Sequence, residues 1–294
     1  MKTYSELIED WVFRELDSDG KNWLSSQLNK ISTNQYCQND FDIIFGLIPR
    51  KLGKFDLKLS KIDLKNASEI KKGWVPYHWS IDIACRVLLL SKINENTNPI
   101  FIDKYKDLHK YADGRELLAL YSGLCLYNYH IDLLNISSNG LRTNIKSEFE
   151  AIAHNNSFPF DHFSLNTWNN MVLKALFIGA RLNPIYGLDK RANLELANIL
   201  QDYAHERWAA NRDVSPELWR CVGPFINDLF FKDFKKVIDN GSEIEKKAIA
   251  LSIYNSPNSS SKSNLLRELT LYVEDIKNNK LNWKEIEIEL NTKS

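Results

Sequence analysis

The chain has 294 residues, 44% of them apolar, with 38 basic side chains balanced by 38 acidic ones. That length and apolar content allow a substantial core in one large domain or two small ones. A zero net charge leaves no basic field to attract nucleic acid or anionic lipid, and no run of about 18 apolar residues predicts a membrane span.

The predicted elements are helices almost throughout. The amphipathic start MKTYSELIEDWVF lacks the apolar core of a secretion signal. In it, Thr3 and Glu6 have capping-box spacing ahead of Ile8, Trp11, Val12 and Leu16. A second helix carries Trp23, Leu24, Leu28 and Ile31, and a third runs from Asp40 with Phe41, Ile44, Phe45 and Ile48 until Pro49 stops it. From Arg50 to His78, Leu57, Leu59 and Ile62 alternate with polar residues and no partner strand follows, which reads as an extended connection. Ser80 is placed as the cap of a helix with Ile83, Arg86, Val87 and Leu90. A further helix holds Phe101, Tyr105 and Leu108, and Asp113 with Glu116 forms another capping box.

A helix from Ser138 is expected to stack Leu141, Ile145, Phe149 and Ile152 on one face and Lys146, Glu150 and His154 on the other. Asn166 or Thr167 opens the next, and Asp189 opens the longest, with Leu196, Leu200 and Tyr203 inward. Ser215-Pro216-Glu217 is a helix start, since proline at the first position loses no hydrogen bond. Leu229, Phe230, Phe234, Val237 and Ile238 form an apolar face, Ser242 and Glu245 a third capping box, and the Ser-rich run 256–264 a loop before one or two charged helices.

About a dozen helices joined by short turns predict a single all-α domain over residues 1–294, its 256–294 part the least defined. The expected architecture is a degenerate HEAT-like α-solenoid of stacked antiparallel helix pairs, with an irregular compact helical bundle as the alternative. Eight tryptophans and four scattered cysteines (Cys37, Cys85, Cys125, Cys221), without CxxC or zinc-finger spacing, fit thick helix packing and reduced thiols in a cytoplasmic protein.

Several segments carry a family resemblance: FGLIPRKLGKFDL at 45–57, GWVPYHWSIDIACRVLLL at 73–90, GLRTNIKSEFEAIAHNN at 140–156, WNNMVLKALFIG at 168–179, GLDKRANLELANILQDYAHERWAANR at 187–212 and SPELWRCVGPF at 215–225. In this order the chain resembles the EboA-domain family. The resemblance implies membership of a bacterial gene set that makes or exports a small lipid-linked or secondary metabolite, with other proteins of the set as partners. It implies no catalytic residue.

The segment 166–225 gathers the unusual side chains. Asp202, His205 and Glu206 share a helical face; the expectation is a buried ion-pair network with Arg207 or Arg220 as partner, and the alternative is a carboxylate-tuned imidazole for proton transfer. Arg142, Arg207, Arg212 and Arg220 are guanidinium candidates for a phosphate or carboxylate, Glu150 with His154 is a second pair, and Trp219 an aromatic wall or core anchor. A metal set of His154, His162, His205 and Glu206 is the weaker alternative, because the paired Glu-x-x-His pattern is missing. With no phosphate loop, nucleophile elbow or dinucleotide fingerprint, no cofactor is expected. The expectation is a non-catalytic adaptor or chaperone. The alternative is a binding protein or enzyme for a phosphorylated sugar or isoprenoid-like ligand, with its pocket between the 140–156 and 189–210 helices.

Overall fold

Pro49 stands inside a helix, and the way that helix survives it introduces the packing of the chain. The structure is a computed structural model that describes residues 2–33, 38–96, 98–226, 228–256 and 260–292. Its described residues are all-helical, without strands, and fall into two compact units, Met1–Phe163 and Ser164–Ser294.

The first unit holds α1 (Tyr4–Glu15), α2 (Ser18–Ser32), α3 (Gln38–Leu52), α4 (Lys61–Ile70), α5 (Ile81–Asn96), α6 (Asn98–Tyr111), α7 (Gly114–Ser122), α8 (Ile131–Gly140), α9 (Lys146–Ala153) and α10 (Phe158–His162). At its centre is α5, which packs against α1, α2, α3, α6 and α7. Every residue from Ile81 to Ser91 is buried, as expected of a helix that is apolar nearly all round. The helices of this unit gather about α5.

The capping boxes at Thr3/Glu6 and Asp113/Glu116 form as expected. Other boundaries move. The α3 helix continues through Pro49 to Leu52. Proline removes the N–H that would bond the carbonyl four residues back, and that carbonyl, Phe45 O, instead accepts from Arg86 Nε at 3.2 Å. The stretch around Ile62 is not extended: Ser60 and Asp63 form a capping box that starts α4. Within this connection Asp56 and Ser80 form an isolated antiparallel bridge. The single helix expected from Ser138 is two. Gly140 ends α8, and Thr143 Oγ accepts from Ile145 N–H and donates to Glu148, which starts α9.

The second unit holds α11 (Leu165–Phe177), α12 (Leu194–Ala209), α13 (Trp219–Val222), α14 (Asp228–Asn240), α15 (Glu243–Tyr254), α16 (Ser260–Glu268), α17 (Thr270–Lys277) and α18 (Trp283–Thr292). Ser164, not Asn166 or Thr167, caps α11. Asp189 opens only a short 3-10 turn, and α12 begins after Asn193, whose side chain accepts from Leu196 N–H. Ser242 and Glu245 cap α15 as expected. Residues 260–264, expected as loop, are helical in α16. Phe230, Phe234, Val237 and Ile238 are buried on α14; the Leu229 side chain lies outside the described residues.

Cys85, Cys125 and Cys221 are free and buried, and burial pushes the Cys125 and Cys221 thiols up to about 12 and Cys85 higher still. Cys37 lies outside the described residues.

Candidate functional site

In α12 the small and aliphatic residues Leu196, Ala197, Leu200 and Ala204 recur at helical spacing and face inward. The opposite face therefore carries Asp202, His205 and Glu206 outward, and all three are exposed. The arginine-paired, buried carboxylates expected at 202 and 206 are not found: neither makes an ion pair among the described residues. The reason is that α12 buries one stripe, not its whole circumference. Arg207 instead donates to the backbone oxygen of Asp213 at 2.9 Å, which closes the turn after the helix, where Asn211 takes φ 52°. Arg212, in that turn, is exposed.

His205 is the organised member of the face. Its Nε2 lies 2.8 Å from Asp233 Oδ1, and Gln201 Nε2 donates to Oδ2 of the same carboxylate at 2.6 Å. Asp233, on α14, is buried, while the His205 side chain is half exposed. A buried carboxylate that holds an imidazole fixes its ring orientation. Sequence reasoning missed Asp233, because it sits 28 residues away and nothing local marks it.

Beside His205 runs an aromatic row. The His205 and Trp208 rings are 5.7 Å apart, Trp208 and Trp219 5.9 Å and near-parallel, and Trp219 meets Phe234 edge-on at 5.4 Å. Lys236 Nζ sits 3.8 Å from the Trp208 centroid, a cation–π contact. Trp219 is fully buried, as a core anchor, with its indole N–H unpaired.

A second polar group surrounds the 178–193 connection. Arg220 is bidentate to Asp189 at 2.7 Å and donates to Asn183 Oδ1 at 2.8 Å, so its fork is satisfied by its own chain. Glu217 is buried and accepts the backbone N–H groups of Leu182 and Asn183 at 3.1 and 2.9 Å. Burial pushes its carboxyl above the ordinary range, against the pull of those two N–H groups.

The remaining candidates lie in the first unit. Arg142 is exposed in the turn after α8. Glu150 pairs with Lys146 at 3.8 Å, and His154 is the C-cap of α9, its N–H on Glu150 O. His162 packs on Tyr129 and Phe158, and burial lowers its pKa. Among the described residues no three His, Cys, Asp or Glu side chains group as metal ligands. A shallow cleft of about 220 Å³ is lined by Lys2, Leu7, Asn66, Glu69 and Ile70.

The most buried charges of the first unit were not anticipated as a site. Asp82, fully buried on α5, accepts from Ser80 Oγ at 2.6 Å, Arg86 Nη1 at 2.9 Å, and Arg115 Nε and Nη2 at 2.9 and 2.5 Å. Burial alone would raise its pKa, but the hydrogen bonds from Arg115 and Ser80 and the two guanidinium charges hold it below the ordinary value. The signal was present in the sequence: an i, i+4 Asp–Arg pair inside an otherwise apolar helix.

Compared with known proteins, residues 4–223 match the family described as metabolite traffic protein EboA. The chain belongs to the EboA family. The match takes in all of the first unit from α1 onward and the second unit as far as Gly223, so it includes both the α12 face and the Arg220 cluster. No curated protein and no solved structure matches the chain. Among the described residues, no helix is long and apolar enough to cross a membrane.

Proposed function

We propose that this EboA-family chain is a non-catalytic helical adaptor or chaperone. It would act in the cytoplasm, in a bacterial pathway that makes or exports a small lipid-linked or secondary metabolite. The observation that carries this reading is the outward α12 face. Asp202, His205 and Glu206 stand exposed beside the half-buried Trp208, a polar rim around an aromatic patch, which is the composition of a contact surface. The family's description as a metabolite traffic protein points the same way. The partners proposed are other proteins of the same gene set.

A pull-down of the tagged chain from cells expressing the gene set tests it. A pathway protein should be recovered, and reversing charge at Asp202→Lys with Glu206→Lys should lose it while the thermal melt is unchanged. Recovery of none, together with normal metabolite in a deletion strain, overturns the reading.

One observation favours the alternative of small-molecule binding. Lys236 and His205 place a cation and an imidazole beside the Trp208 ring, a cationic point for a phosphate next to an apolar plane. On that reading His205→Ala abolishes function with the melt intact, and a normal phenotype removes it.

A further inference from the structure

The zero charge of the whole chain, which argues against a global basic field, is unevenly spread. Residues 50–72 hold eight basic side chains and three acidic ones, so the remainder carries the excess acid. Arg50, Lys51, Lys54, Lys58 and Lys61 are exposed and form no ion pair among the described residues. The nearby acids do not neutralise them. Asp63 is buried, pairs with Arg14 at 3.0 Å, and accepts from the Ser60 N–H and hydroxyl. Glu69 reaches Lys65 at 3.8 Å. Asp56 is the one carboxylate within the cationic segment 50–62.

Two apolar side chains stand among these cations. Ile62, in the first turn of α4, is 70% exposed, and Phe55 is 45% exposed. The backbone that carries them is held in place. Ile81 N–H donates to Phe55 O and Leu57 N–H donates to Trp79 O, each at 2.8 Å, and Arg14 Nη2 donates to Lys58 O at 3.2 Å. Leu57 is buried. Side chains alternate along extended backbone, so an inward Leu57 turns Lys54 and Lys58 outward. The Phe55 ring packs beside Gly53, where φ is 87° and a Cβ would come within 3.0 Å of the ring.

We propose that segment 50–62 docks this chain on an anionic membrane surface. The five cations contact lipid phosphates, and Phe55 and Ile62 enter the boundary between headgroups and acyl chains. Cations surrounding protruding aromatic and aliphatic groups are the chemistry such a surface receives. A nucleic acid fits the same cations less well, because the aliphatic Ile62 offers no ring for a base to stack on. Among the described residues no helix can cross a membrane, so this contact is peripheral. It goes beyond the adaptor reading and does not depend on it, since its test contains no other protein.

The probe is a set of vesicles, either phosphatidylcholine alone or two parts phosphatidylcholine to one part phosphatidylglycerol, sedimented with the full-length chain. The chain should sediment with the anionic vesicles alone at about 50 mM salt and be released at about 500 mM. Each surface cation contributes about five-fold to affinity. Lys51→Glu/Lys54→Glu/Lys58→Glu should therefore lose at least about a hundred-fold, with the thermal melt unchanged. A control with the same change in net charge, Lys277→Glu/Lys280→Glu/Lys284→Glu, reverses three exposed lysines elsewhere and should bind nearly as the unaltered chain does. Ile62→Ser should weaken binding about ten-fold without changing the slope of affinity against salt. No sedimentation with anionic vesicles, equal loss in the control, or binding indifferent to the 51/54/58 variant overturns the proposal. So does release of the chain by millimolar inorganic phosphate, which would mark a free-phosphate site. A DNA duplex bound more tightly than the vesicles, through the same three lysines, would assign the segment to nucleic acid and also overturn it.

Discussion

Helices α5 and α12 each carry two charged residues four apart, Asp82 with Arg86 and Asp202 with Glu206, and the two units treat them in opposite ways. On α5 five helices close round the pair, and both charges are removed from water. There the carboxylate needs every partner it has, because an uncompensated buried charge costs several kcal/mol. On α12 only one stripe is covered, so the like-charged carboxylates stay solvated at little cost. Charge spacing along a helix therefore reports which side chains are neighbours, while the number of surrounding helices decides whether they become a network or a surface.

The sharpest way to break the comparison is to remove the α5 carboxylate. Asp82→Ala takes from the buried Arg86 its hydrogen-bonded carboxylate, leaving only Glu116 at 3.7 Å, and should destabilise by about 3–5 kcal/mol, read as a shifted urea midpoint at unchanged slope. A loss below about 1 kcal/mol would mean the site is wet.

Next in size is Asp233→Asn. It takes an ionised acceptor from His205 and Gln201 in a half-buried setting, and about 1–3 kcal/mol is expected. The same variant should free the His205 ring, visible as a changed imidazole signal by NMR.

Acidity separates the two buried carboxyls by sign. Asp82 has a depressed pKa, so its contribution is present above the ordinary carboxylate value of 3.8 and fades as pH falls through the folded value. Glu217 has a raised pKa, so its contribution is full below 4.5 and is lost as pH rises through the folded value. Glu217→Gln should thus gain on the unaltered chain as pH rises above 4.5 in denaturation curves, and a constant difference would contradict the buried assignment.

The smallest effect belongs to Glu206→Gln, within about 0.5 kcal/mol as for any exposed substitution. A larger loss would restore the buried network that the sequence suggested for this helix.

What could be read in advance follows the same division. Capping boxes are local chemistry, and those at Thr3, Asp113 and Ser242 were legible. The box at Ser60 was overlooked because its third position is Asp63 in place of the usual glutamate. Pro49 misled, because the rescue of Phe45 O comes from Arg86, 41 residues away. Burial at 202 and 206 was misjudged because the bulky neighbours Tyr203 and Trp208 suggested packing on both sides, whereas each is only half-buried. Asp233 and Glu217 act through contacts 28 and 35 residues distant, which no periodicity encodes.

The enclosed thiols give the chain a built-in clock. Cys85 and Cys125 lie in the first unit and Cys221 in the second. Each is buried and held as the unreactive thiol at neutral pH. An alkylating reagent can reach one only when the surrounding helices part. In a Cys37→Ser background, the rate of mass gain at each position would time the opening of one unit independently of the other, with no label or probe added to the protein.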